Sequence, residues 1–250
     1  MYPIERRKAI LEILEQRTSA SVEELSKLLY IGSATIRRDL DKMAKEGIIN
    51  RTHGGAVKMI TEIVETPYDM RAGENSSVKE RIAEFASEMV KDGTALFLDS
   101  SSTVVKMVRH LSLKKNIKVV TNGVNTSAEL AKNGMNAVCT GGIITGASGS
   151  FTGGEACRSA SRYNADWFFY SCHGYTADCG ATESSEEVAC VKEIMAKGAR
   201  KKVLLVSQNK IGKTALCKHS FVADFIITDG VFTADERAKI EEKGTKILLV

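Results

Sequence analysis

The sequence predicts an α/β protein in two parts: a small helical domain over residues 1–58 and a larger domain over residues 78–250 built on a mostly parallel sheet. Three observations carry this. Apolar residues recur at helical spacing three times within the first 47 residues, and a Gly-Gly turn between two short apolar runs follows. Beyond residue 78, short strand-like apolar runs alternate with helical segments, the order that builds strand–helix–strand crossovers. Between these parts, residues 59–77 contain Pro67, one of only two prolines in 250 residues, and read as a linker.

The first helix runs from about Ile4 to Gln16, with Ile10, Ile13 and Leu14 on one face. Ser21 with Glu24 three residues later forms a capping box that opens a second helix, whose stripe is Val22, Leu25, Leu28 and Leu29. "YIGS" is the turn, with Gly32 free to take positive φ. Ser33 is the expected N-cap of the third helix and Gly47 its stop. "IINRTHGGAV" then reads as two short strands around a Gly-Gly turn.

At 100° per residue, Ile36, Leu40 and Met43 define the buried stripe of the third helix. Ala34, Arg38, Asp41 and Lys45 lie opposite, and Thr35 and Arg37 flank the stripe. Asp39 falls on the inward shoulder, away from Arg38, where an ion pair inside the small domain is its expected role. Small residues at the start and a guanidinium on the outer face suit a helix that enters a DNA major groove. A solvated amphipathic helix is the plainer alternative. Residues 1–58 hold 11 Lys/Arg against 8 Asp/Glu, a net +3 within a whole-chain charge of +4, so placement argues more strongly than charge.

In the larger part, a helix is expected over "VKERIAEFASEMV". Next come strand "TALFLD", helix "TVVKMVRHL", strand "IKVVT", helix "TSAELAK" and strand "NAVCTGG". Strand "DWFFYSC", helix "SEEVACVKEIMAKGA", and strands "KKVLLVS" and "FIITD" complete the pattern, with Trp167, Phe168 and Phe169 in the core. Strand-end loops carry the candidate chemistry. Asp99 ends a buried strand, and Ser100, Ser101, Ser102 and Thr103 open the next helix. Hydroxyls, backbone N–H groups and a helix dipole there offer an anion site, while simple N-capping is the bland alternative. Thr121 and Asn122, Gly141 and Gly142, and His173 and Gly174 end other strands. In an open α/β sheet such carboxyl ends share one ligand crevice.

Bulk properties narrow the class. At 43% hydrophobic and 26% charged residues, the composition is that of a globular chain. The longest uncharged run, Asn133–Gly154, spans 22 residues with seven glycines, which suits loops and no membrane span. The N-terminus shows no secretory pattern. The six cysteines include no C-x-x-C and no zinc spacing with histidine, so no metal or cofactor is expected, and the location expected is a reducing cytoplasm. "VSQNKIGKT" ends like a nucleotide-binding loop, but Ser207 stands where its first glycine belongs. His110 and His219 read as surface histidines.

The stretches "ERRKAILEIL", "SVEELSKLLYIGSATIRRDLDKMAKEG" and "RTHGGAV" resemble the winged helix-turn-helix of the DeoR family of bacterial transcriptional regulators, with the helix-turn-helix over about residues 20–39. The resemblance implies that Thr35, Arg37 and Arg38 face double-stranded operator DNA and that Arg51, His53 and Gly54 lie in the wing. The larger part resembles the family's sensor, similar in fold to ribose-5-phosphate isomerase and glucosamine-6-phosphate deaminase, from about Pro67 to Asp229. It implies a phosphorylated sugar or related metabolite as effector, its phosphate near Ser100–Thr103, with Glu187 and Lys210 as further contacts. "SSST" and "SCHG" depart from the family's G-T-T and G-A-D-G patterns. The expected protein is thus a repressor of carbohydrate-metabolism genes acting as a homo-oligomer, dimer or tetramer, because paired half-sites need paired heads. Two alternatives stand beside it: a sugar-phosphate isomerase or deaminase with a DNA-binding appendage, using Asp99, Glu187 and His173 as acid/base groups, and an architectural DNA-binding protein.

Overall fold

The computed structural model describes residues 2–17, 19–46, 48–52, 54–58 and 66–250. They form two compact units, Met1–Gly73 and Glu74–Val250. The N-terminal unit contains α1 (Pro3–Arg17), β1 (Ser19–Ser21), α2 (Val22–Leu29), α3 (Ser33–Lys45), β2 (Ile49–Arg51), β3 (Gly55–Lys58) and α4 (Tyr68–Gly73). Its core is Ile10, Leu14, Val22, Leu25, Ile36, Leu40, Met43 and Ile49, so most of the stripe residues read from the sequence face inward; Ile13 and Leu29 are only partly buried, and Leu28, expected on the stripe of α2, is exposed. The capping box forms: Ser21 Oγ accepts from the Glu24 N–H, and Glu24 accepts from the Ser21 N–H at 2.7 Å.

The turn between α2 and α3 differs from expectation. Its left-handed residue is Tyr30, with φ of 54°, whereas Gly32 has φ of −58° and serves as the N-cap of α3. Ser33 is therefore already helical, and its hydroxyl meets Ser26 Oγ at 3.4 Å. Tyr30 takes the strained conformation because it is the C-cap of α2, where its N–H returns to the Ser26 carbonyl. Gly47, the expected stop of α3, lies outside the described residues. So does part of the expected linker: of residues 59–77, positions 59–65 are not described, α4 belongs to the first unit, and the last two open a helix of the second.

The second unit begins with α5 (Ser76–Glu88) and β4 (Ala95–Leu98). A 3-10 turn (Val104–Lys106) then runs into α6 (Met107–Leu111). β5 (Lys118–Thr121), α7 (Val124–Lys132), β6 (Ala137–Cys139), β7 (Ile143–Thr145), β8 (Ser150–Thr152), α8 (Gly153–Ala160) and β9 (Ala165–Tyr170) follow. The chain continues through β10 (Gly174–Thr176), β11 (Gly180–Glu183), α9 (Glu186–Lys197), β12 (Ala199–Leu205) and β13 (Cys217–Lys218). It ends with β14 (Phe225–Thr228), α10 (Ala234–Glu242) and β15 (Lys246–Leu249).

Seven of these strands form one sheet in the order β15-β14-β12-β9-β4-β5-β6, with every pair parallel. Both faces are covered, and strand alternation sorts the side chains. Phe97, Phe168, Tyr170, Leu204 and Ile226 enter one core, and Leu96, Leu98, Phe169, Val203, Leu205 and Ile227 the other. Trp167 is only partly buried at the edge of the second core. From β4 the chain steps outward through β5 to β6, then returns and steps the other way through β9, β12 and β14. The reversal between β4 and β9 is a topological switch point, the place where parallel sheets form ligand crevices. Two small antiparallel sheets, β10-β11-β13 and the β7–β8 hairpin, were not expected from the sequence. Nor were α8, α10 and β15. No helix among the described residues is long and apolar enough to cross a membrane.

Candidate functional site

In the N-terminal unit, α3 presents Ala34, Arg37, Arg38, Asp41, Lys42 and Lys45 to solvent, with Thr35 half-buried beside them. Asp39 turns inward and is 8% exposed. Arg6 of α1 clamps it with two donors, Nε to Oδ2 and Nη2 to Oδ1 at 3.1 Å. A second tie between the same helices joins Arg7 to Glu46 at 3.3 Å. The acid of the "RRD" run is thus spent inside the domain, and the two arginines remain on the open face. Arg51 in β2 donates to Asp41 Oδ1 at 2.8 Å and to the Gly55 carbonyl. It neutralises the one acid on the open face of α3 while bracing the wing. Gly54 is exposed at the wing tip, and its carbonyl accepts from the Val22 N–H at 2.8 Å. His53 lies outside the described residues.

In the C-terminal unit the polar residues cluster at the switch point. Asp99 is fully buried at the end of β4; its Oδ1 accepts from the Ser101 N–H at 2.8 Å and its Oδ2 from the Ser171 N–H at 3.0 Å. The ammonium of Lys192, buried on α9, lies 2.9 Å from Asp99 Oδ2 and bonds the Ser171 carbonyl at 2.8 Å and Glu183 Oε1 at 2.5 Å. Glu183, at the end of β11, accepts from His173 Nδ1 at 2.7 Å through its other oxygen. Lys210 reaches the Ser171 hydroxyl at 3.1 Å. Burial alone would favour the neutral form of Glu183, but Lys192 and His173 override it and hold the carboxyl well below its usual range. Burial likewise opposes the charge on Lys192, and Asp99 and Glu183 raise it above the ordinary lysine value.

The hydroxyl loop packs against this cluster. Ser100, Ser101, Ser102 and Thr103 are all buried. Ser101 Oγ accepts from the Val104 N–H, so it does cap the 3-10 turn. Ser102 Oγ meets the buried Lys79 ammonium at 3.1 Å, and Ser100 Oγ accepts from Ser150. Thr121 Oγ1 takes the Gly123 N–H at 3.0 Å. A Cβ on Gly123 would lie 2.8 Å from Ser100 Cα and 2.5 Å from Thr126 Oγ1, so glycine lets the two strand-end loops touch. Asn122 is fully buried, and neither end of its amide has a hydrogen-bond partner among the described residues.

The sequence-predicted residues are therefore partly gathered. Asp99, Ser100–Thr103, Thr121, Asn122, His173 and Lys210 come together. Gly141 and Gly142, with φ of 66° and 108°, turn the chain after β6, where a Cβ on Gly142 would strike the Thr152 carbonyl at 2.5 Å. Gly174 opens β10 under the Lys213 carbonyl. Glu187 does not join the cluster: it is exposed in the first turn of α9 and accepts from the Ser185 hydroxyl at 2.7 Å. His219 is not on the surface; its ring is buried, stacked on Phe221 and 3.6 Å from Glu183. Sequence reasoning missed Lys79, Ser171, Glu183 and Lys192. A signal existed for Lys192, which shares a helical face with Val188 and Met195, an apolar stripe where a lone lysine needs buried partners.

Comparison with known proteins follows the same division. Residues 6–62 match the DeoR-like helix-turn-helix domain, and residues 74–230 match the DeoR C terminal sensor domain. The chain is 32% identical over 250 residues to the HTH-type transcriptional regulator GlpR of Haloferax volcanii, covering 99% of this chain and 98% of that one. It is 27% identical to the glycerol-3-phosphate regulon repressor of Escherichia coli, covering 93% and 91%. Among solved structures, ribose 5-phosphate isomerase A from Methanocaldococcus jannaschii superposes on 55% of each chain with a TM-score of 0.43 at 16% identity. A helix-turn-helix head and a sensor unit, matched in order along nearly the whole chain, place this protein in the DeoR family of transcriptional regulators.

Proposed function

We propose that the C-terminal unit binds a phosphorylated sugar or related metabolite at the β4–β9 switch point, and that binding controls the grip of the N-terminal unit on operator DNA. The observation that supports this most directly is Asn122. A fully buried amide with both ends unsatisfied costs several kcal/mol, and a polar ligand in the crevice would satisfy it. The same switch point also gathers hydroxyls and three ammonium groups, Lys79, Lys192 and Lys210, a set suited to a phosphate and the hydroxyls of its sugar. In this reading Ser100–Thr103 and Lys210 take the phosphate end, with Asp99, Thr121, Asn122, His173 and Gly174 beside the sugar. Gly141, Gly142 and Glu187 are peripheral. On DNA, Thr35, Arg37 and Arg38 read the major groove, and Arg51, His53 and Gly54 shape the wing.

The protein acts as a cytoplasmic repressor and as a dimer or tetramer, because two heads are needed for paired half-sites; it needs no metal or cofactor. An enzyme is the weaker reading. General acid–base groups work best with pKa values near the operating pH. Here Glu183 is held well below that range and Lys192 above it, each locked by the other. The test is a thermal-shift screen of the full chain against phosphorylated sugars, followed by operator binding with and without each hit and by turnover assays on the same panel. A ligand that raises the melting temperature and alters operator affinity without being converted supports the proposal. A panel that neither stabilises the chain nor changes its DNA affinity rejects the sugar-phosphate assignment, and turnover rejects the non-enzyme assignment.

A further inference from the structure

Cys157 on α8 and Cys190 on α9 face each other with their sulfurs 3.6 Å apart. Cys190 is exposed and Cys157 partly so, and both thiols are free. The other cysteines are arranged differently: Cys172 is buried, its thiol pushed up to about 12 by burial, and Cys139 meets the Ser127 hydroxyl at 3.0 Å. A disulfide needs sulfurs about 2.05 Å apart. Closing the remaining gap of about 1.5 Å lies within the reach of side-chain rotation.

We propose that Cys157 and Cys190 are a redox-modification site that closes to an intrachain disulfide in the presence of a low-molecular-weight disulfide such as oxidised glutathione. The exposed Cys190 thiol gives up its proton, and its thiolate attacks one sulfur of the oxidant, releasing one thiolate and leaving a mixed disulfide. The Cys157 thiolate then attacks the Cys190 sulfur and releases the second. Two protein thiols are oxidised, one small disulfide is reduced, and the two protons go to the departing thiolates. Burial and the adjoining Cys190 thiol push Cys157 up to about 11. That makes it the resolving partner, whose step quickens as pH rises.

The position gives the bond a consequence. The cysteines are 33 residues apart in sequence, and the span between them includes β9, β10 and β11, and so Ser171, His173 and Glu183. Lys192 follows Cys190 by two positions on α9. α8 begins directly after β8, whose Ser150 holds Ser100. The bond would staple α8, which follows directly on the strand that carries Ser150, to α9, which carries Lys192. Cytoplasmic disulfides are characteristically transient and redox-sensing, and an exposed pair in contact fits that use.

The experiment incubates the folded full chain with increasing ratios of oxidised to reduced glutathione and maps the products by non-reducing peptide mass spectrometry. The wild type is expected to give one peptide pair linked through Cys157 and Cys190 within a single chain, reopened by dithiothreitol. Its closing step should quicken about tenfold per pH unit between pH 7 and 9. Cys157→Ser is expected to stop at glutathione on Cys190, and Cys190→Ser to yield no link. The proposal is overturned if the natively folded wild type accumulates glutathione adducts on Cys190 without the internal link, or if Cys190 joins two chains instead.

Discussion

Replacing Lys192 with methionine tests the buried charge cluster. Methionine keeps the length and apolar stem of lysine, so the loss is chiefly of charge. It leaves two carboxylates, Asp99 and Glu183, each no more than 1% exposed and deprived of the ammonium 2.9 Å and 2.5 Å away. Breaking a buried pair from one side destabilises by about 3–5 kcal/mol. For a unit of this size, that corresponds to roughly 6–20 °C in melting temperature. The pH dependence sharpens the test. In the parent, the depressed Glu183 contributes stability that is present above its unfolded value and lost as pH falls through its lower folded value. Lys192, raised when folded, contributes stability present below its unfolded value and lost as pH climbs through the folded one. Between about pH 5 and 10 these two groups therefore leave the parent's profile flat. In Lys192→Met, burial acts on Glu183 without its main cation, and the carboxyl is pushed upward. The variant should gain stability as pH falls from 7 toward 5, through proton uptake by Glu183. Calorimetry of the full chain from pH 5 to 9 measures both. A loss below about 1 kcal/mol, or a variant profile parallel to the parent's, would refute the reasoning.

Arg37→Ala and Arg38→Ala should each weaken operator binding by about 1–3 kcal/mol if a bidentate guanine contact is lost; a loss uniform across sequences with a shallower salt slope would assign the residue to phosphate instead, and unchanged affinity in both would remove α3 from the groove. Asp39→Ala should destabilise the N-terminal unit by about 2 kcal/mol, because Arg6 loses both carboxylate oxygens of Asp39 in a part-buried site; tighter DNA binding with unchanged folding would mean that Asp39 faces DNA. Ser101→Ala, which removes a buried hydroxyl without adding a charge, should fold and still bind operator but lose affinity for a sugar phosphate, as followed by calorimetry. Full effector affinity in that variant would place the phosphate elsewhere. Gly123→Ala should destabilise the C-terminal unit, since its methyl would press on Ser100 Cα at 2.8 Å; an unchanged melting temperature would show that the two loops can part freely.

The helices and the central strands were legible because burial writes a period into the sequence. Ile36, Leu40 and Met43 mark a helical stripe, and runs such as "ALFL" and "VLL" mark strands covered on both faces. The small antiparallel strands were not legible. "GYT", "GATE" and "SFT" are only three or four residues long, each with a single apolar side chain against the core, so they carry neither period. The wheel placed Asp39 correctly, yet its partner Arg6 lies 33 positions away and leaves no local sign. The site divides along the same line. Asp99 and the serines announce themselves at a strand end. Glu183 and Lys192 become a pair only once α9 is laid over the end of β11. Glu187 came from the family resemblance; in this chain it opens a helix, where a carboxylate is as well suited to capping as to binding.

The three-stranded ribbon of the N-terminal unit constrains how this protein can scan DNA. β3 lies between β1 and β2, so the wing is hydrogen-bonded on one side to the residues that lead into α2. Gly55 sits so close to this junction that a Cβ would fall 2.1 Å from the Ala20 carbonyl, and Gly54 accepts from the first residue of α2. On the other side, Arg51 fastens the wing to the outer face of α3. The distance from wing tip to α3 is therefore a built-in gauge, set by backbone ladders and one guanidinium. If α3 reads the groove as proposed, such a head resists spreading to fit a widened one. DNA whose local width departs from the gauge must itself deform, and the sequences that deform most cheaply will be favoured at positions that no side chain touches.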